Sequence, residues 1–256
     1  HLYDLPYQGV LWGGFSTTIE YNLIERYNQA TNDAGAIYCC SATCYGSVIR
    51  YNIIRDGQSD NGIGCRGIYF DDGTFAGTRV ENNIFKNIGG TTMTGRDMYF
   101  TNNVFISDKY DGHGAMPMLL GRHITSTGGK IAPEGYWTDY DFDAIRATGE
   151  YSDFMNIIDN EWDNIVARNK QFINNVFYCW DEKFIENFQK DAVTYAPYGA
   201  VDKGNVFIND TLPDKADFSD IDWDYLKSQN QDIKEIPVSQ IGTYTGGLRT
   251  NTTDIY

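Results

Sequence analysis

The chain has 256 residues and a formal charge of −15, from 35 acidic and 20 basic side chains. Its length suits one large domain or two small ones. The excess of negative charge would repel nucleic acid and anionic membrane surfaces, so neither is expected as a partner. It also argues against a lyase that must grip a polyanionic uronate. Charged residues make up only 21% of the chain, which is too few for a disordered acidic tail.

The sequence contains no run of 18 apolar residues, so no membrane span is predicted. It begins at His1 with no visible signal peptide, and a strand-and-turn pattern starts at once. We therefore expect further coils upstream, with this chain as the C-terminal part of a longer repeat.

A two-strand unit is written twice near the start of the chain. The first copy reads IEYNLIERY at Ile19–Tyr27 and NDAGAIYCC at Asn32–Cys40; the second reads VIRYNIIRD at Val48–Asp56 and RGIYFDDG at Arg66–Gly73. Apolar alternation flanks the asparagine of each first segment, which is typical of strands. A tandem strand unit predicts a stacked, repeated fold.

Asparagine recurs in the same apolar setting along the chain, at intervals of 30, 31, 20, 72 and 30 residues. The repeated positions are Asn22, Asn52, Asn83, Asn103, Asn175 and Asn205. A period of this size predicts a parallel β-solenoid. Asparagine tolerates the left-handed backbone of a sharp turn, and stacked asparagines can hydrogen-bond as a ladder, so we interpret these residues as structural.

The long interval predicts a helical insertion at 128–168. Tyr140–Arg146 and Glu150–Val166 have near-helical apolar spacing, and an Asp cluster at 139–143 suits a helix N-terminus. Further helices are predicted at Asp181–Lys190 and Asp220–Ser228. Ile233–Tyr244 is predicted to be extended and to cap the last coil, because an open coil would expose strand edges. The whole chain, 1–256, is then one domain that contains the insertion.

The five cysteines cannot all pair within one chain. They are Cys39, Cys40, Cys44, Cys65 and Cys179. Cys40 and Cys44 could close a small loop, and their spacing is a weak zinc signal. Buried thiols inside the scaffold are the preferred interpretation.

Three carboxylates are candidates for catalysis: Asp33 in NDAGAIY, and Asp71 and Asp72 in GIYFDDG. If Ile37 is aligned with Ile68 and both point inward, we expect Tyr38, Tyr69 and Asp71 to point outward. Carboxylates on adjacent strands can then reach the separation of roughly 5–10 Å that glycoside hydrolysis uses. In strict register, however, Asp33 lies upstream of Asp71, so the two meet only if the chain curves.

Other side chains are candidates for substrate binding. They are Trp12, Tyr38, Tyr69, His113, Arg122 and His123. Aromatic faces stack on sugar rings, and His or Arg can hydrogen-bond to sugar hydroxyls, although each also reads as an ordinary strand or loop residue. No cofactor is predicted, but scattered Asp residues could bind a structural calcium ion.

The succession of segments from HLYDLPYQGVLWGG through NDAGAIY, SVIRYNIIRDG, GIYFDDG and MYFTNNVFISD resembles secreted bacterial right-handed parallel β-helix proteins. It is most similar to those of glycoside hydrolase family 141, whose activities include α-L-fucosidase and xylanase. The similarity covers Gly9–Asp108 and, more loosely, Ile233–Tyr244. It implies an all-β fold, catalytic acids at Asp33 and at Asp71 or Asp72, and a secreted, periplasmic or cell-surface location.

The resulting hypothesis is a secreted glycoside hydrolase that uses paired carboxylates on plant or microbial polysaccharide. One alternative is a polysaccharide lyase, which would need a Lys or Arg base near calcium. Another is a β-helix module that binds carbohydrate or assists surface assembly without catalysis.

Overall fold

The computed structural model of the chain describes residues 1–31, 33–40, 43–58, 65–71, 74, 77–88, 92–93, 96–107, 141–161, 168–179, 182–209 and 212–242. Strands within these ranges form three parallel sheets. The seven-stranded sheet contains, in order, β1 (Leu2–Tyr3), β4 (Leu23–Glu25), β7 (Ile53–Arg55), β10 (Ile84–Lys86), β13 (Val104–Ser107), β15 (Val176–Cys179) and β17 (Val206–Ile208). The four-stranded sheet contains β11 (Thr92–Met93), β8 (Cys65–Phe70), β5 (Ala34–Cys39) and β2 (Val10–Leu11). The six-stranded sheet contains β16 (Val201–Lys203), β14 (Lys170–Ile173), β12 (Met98–Thr101), β9 (Thr78–Glu81), β6 (Val48–Arg50) and β3 (Thr18–Glu20).

Four α-helices also lie in the described part of the chain. They are α1 (Phe142–Thr148), α2 (Ser152–Glu161), α3 (Glu182–Tyr195) and α4 (Trp223–Gln229). Short 3₁₀ helices follow at Ala196–Tyr198 and Val238–Gln240. The prediction of an all-β, right-handed parallel β-helix is therefore wrong, because the strands divide among three sheets and helices accompany them in an α/β-type arrangement. The sequence period predicts which strands pair. It does not predict how many sheets the strands form or which structure the segments outside the repeat adopt.

The repeated asparagines form the predicted ladder. The Nδ2 of Asn22 donates to the Oδ1 of Asn52 at 3.0 Å, and the same contact at 3.0 Å continues through Asn83, Asn103 and Asn175 to Asn205. The left-handed backbone, however, lies one residue earlier than predicted. Tyr51, for example, has φ 52°. The ladder asparagine thus satisfies backbone groups beside the turn instead of forming the turn itself.

The main apolar core draws on strands of all three sheets. Phe85, Phe105, Phe177 and Phe207 stack in sequence with ring centroids 4.8, 5.1 and 5.0 Å apart. Phe188 of α3 packs against the end of this stack, 5.5 Å from Phe177 and 6.0 Å from Phe207. Helix α3 therefore covers the end of the core, a role that the sequence had assigned to the tail.

The C-terminal segment follows a different path from the predicted cap. Its apolar residues Ile221, Leu226, Ile233 and Ile236 share a second core cluster with the seven-stranded sheet. The backbone N–H of Gly242 then donates to the carbonyl of Tyr21 at 3.2 Å, near the opposite edge of that sheet. The segment thus covers one face of the sheet lengthwise, because that face carries its own row of apolar side chains.

The predicted helices of the insertion are confirmed where it is described. Asp141 caps α1, since its side chain accepts a hydrogen bond from the N–H of Ala144 at 2.9 Å. In α2, Phe154 and Ile158 are buried against Phe15 and Tyr45 of the strand region. Ile157 is partly buried against the same cluster, and two further apolar residues of the predicted helical spacing, Trp162 and Ile165, lie outside the described residues.

Cys39, Cys44 and Cys65 are buried thiols outside any disulfide, as predicted, and Cys40 is a half-buried thiol, also outside any disulfide. Burial, together with its neighbour Cys39, raises the pKa of the Cys44 thiol well above its ordinary value. Burial raises the pKa of Cys65 to about 12. Among the helices that the structure describes, none has the length and apolar character needed to cross a membrane.

Candidate functional site

The candidate site lies on the four-stranded sheet, where β5 and β8 pair. Gly35 is opposite Arg66, Ile37 is opposite Ile68 and Tyr38 is opposite Tyr69, which confirms the alignment made from the sequence. Both isoleucines are fully buried in the main core. Because successive side chains of a strand alternate between faces, the two tyrosines lie on the outer face.

Asp33 stands just before β5 and has a left-handed backbone, with φ 60°. Its Oδ1 accepts hydrogen bonds from Arg66 Nη1 at 2.8 Å and from the Tyr69 hydroxyl at 3.0 Å. Arg66 also stacks over the Tyr69 ring, with its guanidinium carbon 4.0 Å from the ring centroid. The side chain of Asp33 remains 59% exposed, so its carboxylate is held in place and still open to solvent.

A bend in β5 explains how Asp33 reaches Tyr69. Gly35 pairs with Arg66, yet a Cβ atom at Gly35 would lie 2.8 Å from the Cβ of Tyr69, three residues further along β8. Three residues of straight strand span about 10 Å, so the chain must curve at this point. This is the curvature that a meeting of Asp33 with Asp71 required, and glycine leaves room for it.

Asp71 follows the end of β8 and contacts the same pair of tyrosines. The hydroxyl of Tyr38 donates to Asp71 Oδ2 at 2.9 Å. The rings of Tyr38 and Tyr69 meet edge to face, with centroids 5.1 Å apart. Asp71 is thus held beside Tyr69 by the tyrosine on the neighbouring strand.

The Tyr38–Tyr69 pair connects the two carboxylates, since Tyr69 donates to Asp33 and Tyr38 donates to Asp71. Burial raises the pKa of Tyr69 well above its ordinary value; Arg66 opposes that shift, whereas hydrogen bonds with Asp71 and Asp33 add to it. Burial and the hydrogen bond to Asp71 likewise raise the pKa of Tyr38. Both tyrosines therefore stay protonated as donors at neutral pH. Asp33 and Asp71 are thus held by two adjoining tyrosines, with one carboxylate on each hydroxyl.

The structure places Trp12 away from this group. Its ring lies 6.4 Å from that of Phe70 and packs against the main core. The adjacent Leu11 pairs with Tyr38 and is 65% exposed, so it is Leu11 that borders the tyrosines on the outer face. The alternation of β2 could have indicated this, because Leu11 and Tyr38 are opposite each other.

Arg66 is a site residue that sequence reasoning missed. It is only 8% exposed although it is charged, and it contacts both Asp33 and Tyr69. The available signal was its position inside the apolar strand β8, where a buried cation needs a carboxylate partner. The remaining predicted site residues, Asp72, His113, Arg122 and His123, lie outside the described residues.

The described residues include no group of three or more His, Cys, Asp or Glu side chains arranged to hold a metal ion. A structural calcium ion remains a prediction from the sequence alone.

Comparison of the chain with protein-family models, with curated proteins and with solved structures finds no match. The resemblance to glycoside hydrolase family 141 therefore rests on the sequence motifs quoted above.

Proposed function

We propose that the protein is a secreted glycoside hydrolase that acts on neutral plant or microbial polysaccharide. The observation that carries this proposal is that two tyrosines in ring contact, Tyr69 and Tyr38, donate to Asp33 and to Asp71 respectively. Hydrolysis of a glycosidic bond needs two carboxyl groups at a short fixed separation, one to protonate the leaving oxygen and one to act as base or nucleophile.

The contacts of the two carboxylates support different roles. Asp33 is paired with the guanidinium of Arg66, which orients it as the candidate base or nucleophile. The remaining role, that of the acid, falls to Asp71, which the Tyr38 hydroxyl holds at the edge of the same tyrosine pair. Leu11 and Tyr38 offer an apolar and aromatic surface beside them on which a sugar ring can rest.

The charge of the cluster favours a neutral substrate. With Asp71 protonated as the acid, the charges of Asp33 and Arg66 cancel, and Arg66 is buried and paired with Asp33. A polysaccharide lyase would need a cation that neutralises a uronate and a base that is free to take its proton. The contacts of Arg66 do not support that alternative.

The second candidate function is carbohydrate binding without catalysis. It is favoured by one observation, that tyrosine hydroxyls already occupy an oxygen of each carboxylate. In a module of this kind the carboxylates would serve to position the tyrosines as a rigid binding surface.

Incubation with neutral fucosylated glycans and with unsubstituted xylans, followed by detection of new reducing ends, distinguishes the two functions. A hydrolase should release sugar, and Asp71→Asn should slow release by at least about a hundredfold, since a general acid contributes that much. The exposed Asp232 provides a matched control, and Asp232→Asn should retain full activity. Saturable glycan binding with no release by the parent would support the binding module instead.

A further inference from the structure

A pocket of about 290 Å³ lies between the seven-stranded sheet and the C-terminal segment, on a different sheet from Asp33 and Asp71. Its apolar lining comes from Ile208 of β17 and from Leu212 and Pro213. Tyr178, Asp220, Asp222 and Tyr225 supply the polar part of the lining. The volume is at the lower end for ligand pockets and suits a molecule of about the size of one sugar ring.

Tyr178 brings an unused donor to this pocket. The residue is only 4% exposed, and its hydroxyl makes no hydrogen bond with any described residue. Burial, and then the charges of Asp222 and Asp220, raise its pKa to about 12, so the hydroxyl stays protonated at neutral pH. The hydroxyl is thus available at the pocket wall to donate to a ligand or to water.

Asp220 brings an unused acceptor. Its Oδ2 accepts hydrogen bonds from the backbone N–H groups of Asp214 at 2.7 Å and Lys215 at 3.1 Å. Its Oδ1 is buried and has no hydrogen-bond partner in the part of the chain that the structure describes. Burial favours the neutral form of Asp220, but those backbone donors outweigh it and the pKa lies below its ordinary value. The pocket therefore holds a charged acceptor close to the donor on Tyr178.

We infer that this pocket binds a neutral, hydroxyl-rich ligand of the size of a single sugar unit. A sugar hydroxyl donates and accepts at the same time, so one such group can satisfy both Asp220 Oδ1 and the Tyr178 hydroxyl. Tyr225 is 47% exposed and offers its ring to the C–H face of the sugar.

A cation fits the pocket less well than a sugar. Asp222 already uses its Oδ1 to accept from the N–H of Tyr225 at 2.9 Å, and Asp220 uses its Oδ2 for two backbone donors. Too few carboxylate oxygens remain for the six to eight ligands that calcium takes. The two negative charges also disfavour an acidic sugar. The inference rests on these contacts alone and goes beyond the proposed hydrolase activity.

Calorimetric titration of the whole protein with D-xylose, L-fucose and D-galactose at millimolar concentrations tests the inference, with calcium chloride titrated separately. At least one sugar should bind saturably, and Tyr178→Phe and Asp220→Asn should each weaken its affinity about three- to tenfold, the effect of one hydrogen bond. Tyr198→Phe, at an exposed tyrosine elsewhere, should leave the affinity unchanged.

The Asp71→Asn variant separates this pocket from the candidate active site. Binding that persists in Asp71→Asn and weakens in Tyr178→Phe and Asp220→Asn supports the inference even if no glycan is hydrolysed. Three results would overturn it: no sugar binding by the parent, sugar binding that neither pocket variant changes, or binding of calcium without binding of any sugar.

Discussion

Arg66 Nη1 lies 2.8 Å from Asp33 Oδ1, and the guanidinium of Arg66 stacks over the ring of Tyr69. One buried cation therefore orients both partners of the hydrogen bond that Tyr69 donates to Asp33. Asp33 itself is more than half exposed, and a single exposed ion pair contributes little to stability. The value of the contact therefore lies in positioning. It fixes a solvent-accessible carboxylate against the hydroxyl of Tyr69, whose ring contacts the tyrosine that binds Asp71.

Gly35→Ala should disturb the site because the added Cβ would lie 2.8 Å from the Cβ of Tyr69. Overpacking of this kind costs about 1–3 kcal/mol, and here the atom that must move belongs to the site. Gly67→Ala is the matched comparison on the core face, where the nearest atom is the end of the Ile88 side chain at 2.7 Å. Urea denaturation should show destabilisation in both variants, but glycan turnover or binding should fall only in Gly35→Ala. Equal loss of function in both would argue against a specific role for the bend.

Asn83→Ala should be strongly destabilising because Asn83 is fully buried in the middle of the ladder. Its Nδ2 donates to the carbonyl of Ile49, and its Oδ1 accepts from Asn52. Each unsatisfied buried group costs about 1–3 kcal/mol, so a total of roughly 2–5 kcal/mol is expected from urea denaturation. Asn22→Ala, at the half-buried end of the ladder, should cost less. Equal free energies of unfolding in the two variants would contradict a stabilising role for the ladder.

Phe188→Ala should destabilise the protein by about 3–5 kcal/mol, since Phe188 is 4% exposed and closes the aromatic stack from helix α3. Val193→Ala on the same helix provides the control, because Val193 is 78% exposed and its loss should stay within about 0.5 kcal/mol. Thermal and urea unfolding of both variants measure the difference. A small effect at Phe188 would mean that α3 does not cover the core in solution.

Stability is expected to fall at alkaline pH. Burial raises the pKa of Tyr27 well above its ordinary value of 10.0. Below pH of about 10 the tyrosine is protonated in both states and stability is unaffected; above it the unfolded chain loses the proton and the folded chain keeps it. The free energy of unfolding then decreases as pH rises, by up to ~1.4 kcal/mol per pH unit for each such group.

Tyr27→Phe tests this pH dependence. The Tyr27 hydroxyl is buried with no hydrogen-bond partner among the described residues, so its removal should cost little at neutral pH. Urea denaturation between about pH 8 and about pH 11 should show a shallower decline than in the parent. Tyr198→Phe, at an exposed tyrosine, should follow the parent curve. Identical slopes in all three proteins would show that Tyr27 is not the titrating group.

Sequence patterns predicted the local contacts better than the global arrangement. The repeat at Ile37 and Ile68 predicted the register of β5 and β8, because alternation fixes which residues face the core. The same repeat did not predict three sheets or the path of the C-terminal segment. A sequence period does not predict which apolar faces of the sheets remain for other segments to cover.

The site itself was only partly predictable. Tyr38, Tyr69 and Asp71 follow from alternation on one strand pair, whereas the approach of Asp33 depends on a bend that only the packing of Tyr69 over Gly35 reveals. Trp12 was misjudged because aromatic character alone does not say which face of β2 it occupies. Arg66 was not predicted, because its contact with Asp33 joins a residue of β8 to one that stands just before β5 and depends on the same bend.

The most direct test of the central claim is a double-mutant cycle on kcat/KM for glycan hydrolysis, with Asp33→Asn, Asp71→Asn and the two combined. If the two carboxylates held by Tyr38 and Tyr69 act as one catalytic unit, kcat/KM should fall at least about a hundredfold in each single variant and little further in the double variant. Full activity in either single variant, or losses that simply multiply in the double variant, would contradict a shared catalytic pair.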